Sequence, residues 1–296
     1  MKAKKKVHLV LGSGGARGIT HIGVIEELER NGFEIISVVG CSMGAIVGGL
    51  YCAGFLNIYK KWLLTLTRSK VFNLFDFTFT NNGFLKGEKI ISKLQELTGD
   101  QNIEKFAIKF TAVATDVLHK KEVHFCNGNL YKALRASMGI PGVFTPMYED
   151  DTFLVDGGVL NPLPLNLVKK CHPDEWIIAV NLNGNNPIIL PEDNESVFKN
   201  WPWLKDLNLS IVNINKTKEV KKIPYFTIID LISTSYDFTQ DRLVELMIQL
   251  YPPNILVEIP RNACKVFDFH KAAELITMGK NLTEKALEGN IRLLKE

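Results

Sequence analysis

Short, unbroken apolar runs alternate along this chain with longer stretches of helical period. The runs Val7–Leu11, Ile35–Val39 and Phe110–Thr115 are too short for helices and too continuous for half-exposed strands, so they read as strands buried on both faces. Between the first two, Ile22, Ile25 and Leu28 recur at helical spacing and predict a helix over Ile19–Arg30. A second apolar helix should follow Gly44. Helical period returns from Gly87 to Thr98 and from Asn129 to Ser137, where Gly139-Ile140-Pro141-Gly142 stops it. Glu122–Phe125 and Thr152–Val155 read as further strands, and a last helix runs from about Lys271. The phenylalanine-dense stretch Phe72–Asn82, ending at Asn81-Asn82-Gly83, reads as a loop or short hairpin covering something. Strand, helix, strand in this order predicts an α/β protein with a mostly parallel sheet.

Composition narrows this picture. At 296 residues and 46% hydrophobic content, the chain suits one large domain over 1–296, with an irregular Asn-rich insertion expected at about 183–225. A formal net charge of +3, with Lys and Arg scattered rather than striped, excludes nucleic acid as an expected partner. Five cysteines without a C-x-x-C pair predict reduced thiols in a cytoplasmic setting, with no disulfide and no zinc, and no other metal or cofactor is expected. The four lysines of Met1–Lys6 imitate a secretory leader, but the apolar run behind them meets Gly12 too soon. Ile35–Tyr59 has no charge and is long enough to span a bilayer. Its polar Ser37, Ser42 and Asn57, its glycines and its β-branched beginning favour a buried strand and helix instead.

Three clusters carry candidate chemistry. Gly40-Cys41-Ser42-Met43-Gly44 sits between predicted strand and predicted helix, where a sharp turn projects a serine hydroxyl from the sheet edge; Ser42 is the candidate nucleophile. Gly12-Ser13-Gly14-Gly15-Ala16-Arg17-Gly18 links the first strand to the first helix, so its N–H groups can converge on an anion or oxyanion. A dinucleotide site fits this loop less well, because Arg17 holds the place of the last glycine and no ribose-binding acid ends the second strand. Asp156-Gly157-Gly158 closes the Thr152–Val155 strand and leaves one carboxylate at a sheet edge, where open α/β sheets bind ligands.

With G-G-x-R-G at Gly14–Gly18, G-x-S-x-G at Gly40–Gly44, A-S-x-x-x-P at Ala136–Pro141 and D-G-G at Asp156–Gly158, in that order, the chain resembles the patatin-like phospholipase family. The likeness extends to the small single-domain members through Asp268-Phe269 and weakens between Asn183 and Tyr225. It implies a three-layer α/β/α fold and a Ser-Asp dyad, Ser42 as nucleophile and Asp156 as base, with no catalytic histidine. It also implies oxyanion donors in Gly14, Gly15, Ala16 and Arg17 with Met43, the Arg17 side chain either holding the loop or attracting an anionic head group. The expected activity is a phospholipase A-type esterase on a phospholipid or other acyl ester, with room for peripheral membrane contact. A non-phospholipid esterase, a thioesterase and a non-catalytic lipid-binding protein remain alternatives.

Overall fold

The computed structural model describes residues 5–80, 83–149, 151–184 and 228–290. It divides into two compact units, 1–186 with 240–296, and 187–239. Of the second unit only 228–239 are described. The expected insertion at 183–225 therefore lies almost wholly outside the described residues; Asn183 and Gly184 end a strand.

The larger unit is built on an eight-stranded sheet. Strands β1 (Lys5–Leu11), β2 (Phe33–Cys41), β5 (Lys109–Asp116), β9 (Trp176–Gly184) and β10 (Ile255–Pro260) run parallel in the order β10-β9-β1-β2-β5. Val7, Leu9, Val10 and Leu11 are wholly buried, as a strand covered on both faces requires. Two faces of one strand show the layers. Val10 joins a buried cluster with Leu163, Leu165, Ala179 and Val244, the last from the part of α7 (Ile228–Leu250) that lies in this unit. Leu11 points the other way, towards Gly48 on α2 (Met43–Cys52). Helix α1 (Thr20–Arg30) packs on the closing helix α8 (Ala272–Gly289). This is the three-layer α/β/α arrangement with a mostly parallel sheet.

Around β5 the sheet turns antiparallel, and this switch positions the site. Strand β6 (Lys121–Phe125) pairs with one edge of β5. On the other edge β2 pairs as far as Cys41↔Val113, and β8 (Thr152–Asp156) takes over from the opposite direction at Asp156↔Ala114. Two strands thus meet end to end along one edge of β5, bringing residues 42 and 156 to the same point. A short strand β7 (Met147–Glu149) pairs with β8.

Beyond α2 the chain forms α3 (Leu56–Leu63) and α4 (Arg68–Asn73), then a hairpin of β3 (Phe77–Thr80) and β4 (Gly83–Leu85). The stretch expected as loop or hairpin from Phe72 therefore begins inside a helix, because Thr67 caps α4 by accepting from the Lys70 N–H. Helices α5 (Glu88–Thr98) and α6 (Leu130–Ser137, capped by Asn129) follow. Ile35–Tyr59 is divided among β2, α2 and α3, and among the described residues no helix is long and apolar enough to cross a membrane.

Candidate active site

Ser42 is the residue between β2 and α2, with φ 55 and ψ −121, a backbone conformation that favours glycine and strains any side chain. Close packing enforces it. A Cβ at Gly44 would collide with the Leu11 carbonyl and one at Gly40 with the Gly44 carbonyl, so the turn is pressed flat between strand ends. A side chain clamps it from behind. The Ser42 N–H donates to Ser137 Oγ at 2.9 Å, and Ser137 Oγ donates to the Val113 carbonyl at 2.6 Å. Ser137 thus locks the strained residue to the strand on which β2 and β8 meet.

Asp156 is 1% exposed. Its Oδ1 accepts from the Gly158 N–H at 2.7 Å and from the Cys41 thiol at 3.7 Å. Burial pushes its pKa up to about 6, while the Ser42 hydroxyl, the Gly158 N–H and the Cys41 thiol pull in the other direction. The Ser42 hydroxyl is close enough to favour the ionised carboxyl, yet no hydrogen bond of normal geometry joins them: Oδ2 has no hydrogen-bond partner among the described residues. One carboxylate oxygen is therefore tied and the other is available. Catalytic hydrogen bonds often close only when substrate binds.

The glycine loop lies against the elbow, where a Cβ at Gly18 would overlap that of Met43. Ser13 N–H donates to the Pro162 carbonyl at 2.9 Å, tying the loop to the segment that follows Asp156. Gly15, with φ 57, lines the same cavity as Ser42 and Met43. Among the described residues nothing engages the N–H of Gly14 or Gly15, and Met43 opens α2, where a helix has no internal acceptor for it. Ala16 is different. Its N–H donates to the Val266 carbonyl at 2.9 Å, so it is not available as an oxyanion donor in this conformation. The Arg17 guanidinium is buried and donates to the Arg261 carbonyl and to Asn183 Oδ1, which fits the expected loop-holding role rather than a reach towards a head group.

The cavity beside Ser42 holds about 60 Å³ and its walls are almost wholly apolar. Helix α3 supplies Tyr59, Trp62 and Leu63, the α4 region Val71, Leu74 and Phe75, and the loop after α6 Ile140 and Phe144. Val266, Phe267 and Phe269, from the segment before α8, close it; Phe267 meets Phe75 edge to face at 5.2 Å.

No histidine reaches Ser42 through any hydrogen bond among the described residues. His21 is buried, binds the Gly12 carbonyl at 3.0 Å and is driven by burial down to about 4, so at neutral pH it is an uncharged prop under the loop. His8 binds Ser37 Oγ and Glu175, far down the strands from their site ends. Sequence reasoning assigns no role to Ser137, although its motif is visible, and none to the Cys41 thiol or to Val266–Phe269. Nothing local in the sequence marks the first two as partners of residues 42 and 156.

A serine on a strained strand-to-helix turn thus lies beside a buried carboxyl and a glycine loop at one end of the mostly parallel sheet of an α/β/α fold. The chain matches the patatin-like phospholipase family over residues 9–169 and belongs to it. An uncharacterized NTE family protein of Mycobacterium tuberculosis is 32% identical, the alignment covering 96% of this chain and 91% of that protein. The lysophospholipase NTE1 of Candida albicans is 33% identical over 62% of this chain, which corresponds to only 13% of that much longer protein. Among solved structures, VipD from Legionella pneumophila overlays with a TM-score of 0.46 at 11% identity, over 97% of this chain and 67% of that one.

Proposed function

We propose that the protein is a serine acyl hydrolase of lipid esters, a carboxylic ester hydrolase in which Ser42 attacks the carbonyl carbon and Asp156 accepts its proton. A carboxyl near pH 6 is largely ionised at neutral pH and far more basic than an ordinary aspartate, which suits it to that transfer. With Oδ1 held by Gly158 and Cys41, Oδ2 takes the proton as the Ser42 Oγ–C bond forms. The tetrahedral oxyanion is held by the N–H groups of Gly14, Gly15 and Met43, donors typically worth roughly 10²–10³ in rate each. Collapse expels the alcohol, which leaves with the proton from Asp156. Water, activated by the same carboxylate, then releases the acyl group. This chemistry requires neither histidine nor cofactor.

The apolar lining supports an acyl group seated beside Ser42, with the polar part of the substrate towards solvent. The name of the Candida albicans relative supports a lysophospholipid, and the description of the family a phospholipid, as that substrate. The observation that carries the reading is Ser42 at φ 55 at the mouth of this cavity, with a raised-pKa aspartate at the strand end facing it. A fluorophosphonate probe should label Ser42 alone, identified in its peptide, and lysophosphatidylcholine should be hydrolysed. A folded protein that is neither labelled nor active on this lipid or on a soluble ester would overturn the proposal.

A further inference from the structure

Exposed apolar side chains and surplus positive charge coincide on the stretch that roofs the apolar cavity. Helix α3 turns Tyr59, Trp62 and Leu63 inward and leaves Ile58, Lys61 and Leu64 outside, Leu64 being 49% exposed. Helix α4 sends Val71 inward and Phe72 outward, 60% exposed, its ring 5.3 Å from that of Phe77. Large apolar side chains clustered at a surface mark an interaction site. Residues 55–80 also hold Lys60, Lys61, Arg68 and Lys70 against one carboxylate, Asp76, a surplus equal to the formal +3 of the whole chain. The nearby acids are occupied: Glu26 pairs with Lys60 and Lys280, and Asp76 accepts the Gly87 and Lys89 N–H groups at the start of α5. Lys61, Arg68 and Lys70 are exposed, with no carboxylate partner among the described residues.

Resting on the hydrolase reading, we propose that the outer face of α3, α4 and β3 is the docking surface for an anionic phospholipid bilayer. Leu64, Phe72 and Phe77 enter the head-group layer while Lys61, Arg68 and Lys70 meet lipid phosphates. Charge complementarity selects this occupant. A second copy of the chain would set the same basic face against itself in a two-fold contact. The face is also continuous with the cavity, since the inner sides of the same two helices line it. A lipid chain drawn from the leaflet therefore meets apolar groups up to Ser42. Lys5 does not share this face: it lies over the Trp176 ring at the start of β1, roughly 20 Å of strand from the site end.

The test uses vesicle sedimentation of the Ser42→Ala protein, so that binding is read without turnover. It should bind phosphatidylcholine–phosphatidylglycerol vesicles well above phosphatidylcholine alone. Each cation near such a surface is worth roughly fivefold in partitioning, so Lys61→Gln/Arg68→Gln/Lys70→Gln should weaken binding about 100-fold on the mixed vesicles and little on the neutral ones. Leu64→Ser and Phe72→Ser should weaken binding to both, while the same changes in active enzyme leave soluble-ester turnover within twofold, about the scatter of such assays for exposed sites. Should Phe72→Ser not fold, Leu64→Ser and the cation variant still decide. Binding unchanged in the variants, no binding by the parent, or a stable dimer dispersed by them would each overturn the proposal. Vesicle binding as expected in a protein that hydrolyses no ester would leave the surface standing and remove the hydrolase reading instead.

Discussion

Replacing Asp156 with asparagine should make the protein more stable at neutral pH while removing its activity. Burial raises the carboxyl from an ordinary 3.8 to about 6, so between these values the folded state holds a proton that the unfolded chain has released. Wild-type stability therefore falls as pH rises through that window, and is restored below it. At about 1.4 kcal/mol per pKa unit, the ionised, buried Asp156 costs the fold about 3 kcal/mol at pH 7. Asparagine does not titrate. Its amide oxygen can keep the Gly158 and Cys41 bonds at the Oδ1 position, and its amino group falls where Oδ2 has no partner among the described residues. With an unfolding entropy of about 2.1 cal/mol/K per residue over 296 residues, 3 kcal/mol corresponds to a rise of about 5 °C in Tm. Calorimetric melts of both proteins at pH 4, 5, 6, 7 and 8 test this, with ester hydrolysis measured alongside. The difference should be near zero at pH 4, grow through pH 6 and level off above it, while kcat falls by orders of magnitude. An Asp156→Asn protein that is less stable than wild type at pH 7, or a difference that does not change with pH, would show that Asp156 is not held at a cost as an ionised base.

Ser42→Ala and Ser42→Gly should both abolish labelling and hydrolysis, but the glycine variant should be about 1–2 kcal/mol more stable in denaturant titrations, because φ 55 strains every residue with a Cβ; equal stabilities would deny the strain. Ser137→Ala leaves the Ser42 N–H and the Val113 carbonyl without their shared partner, so it should cost about 1–3 kcal/mol and lower kcat more than it raises KM. Unchanged kcat would remove its positioning role. Glu175 is held down to about 2 by His8 and by the N–H groups of Cys171 and His172, so it contributes stability above its ordinary value that is lost as pH falls from about 4.5 towards 2. Glu175→Gln should flatten stability across that interval in acid titrations, and a curve parallel to wild type would refute the linkage.

Where interactions are local in the chain, the sequence was sufficient. The runs Val7–Leu11, Ile35–Val39 and Phe110–Thr115 became β1, β2 and β5 because a strand buried on both faces has to be apolar throughout, and Gly40–Gly44 became the junction of β2 and α2, where the packing leaves no room for a Cβ at positions 40 and 44. Phe72 shows the limit. Its neighbourhood reads as phenylalanine-rich covering chain, but whether each ring faces outward or the core depends on which side of α4 or β3 it leaves, and Phe75 lines the cavity while Phe72 does not. The sequence offered Ser42 and Asp156 as residues 114 positions apart with no visible relation beyond family likeness. Only the tertiary structure decides that β2 and β8 end against each other on one edge of β5, and that Cys41, Gly158 and burial together leave one oxygen of Asp156 open with its pKa near 6. Hydrogen bonding and desolvation depend on distance in space, and separation along the chain does not encode that distance.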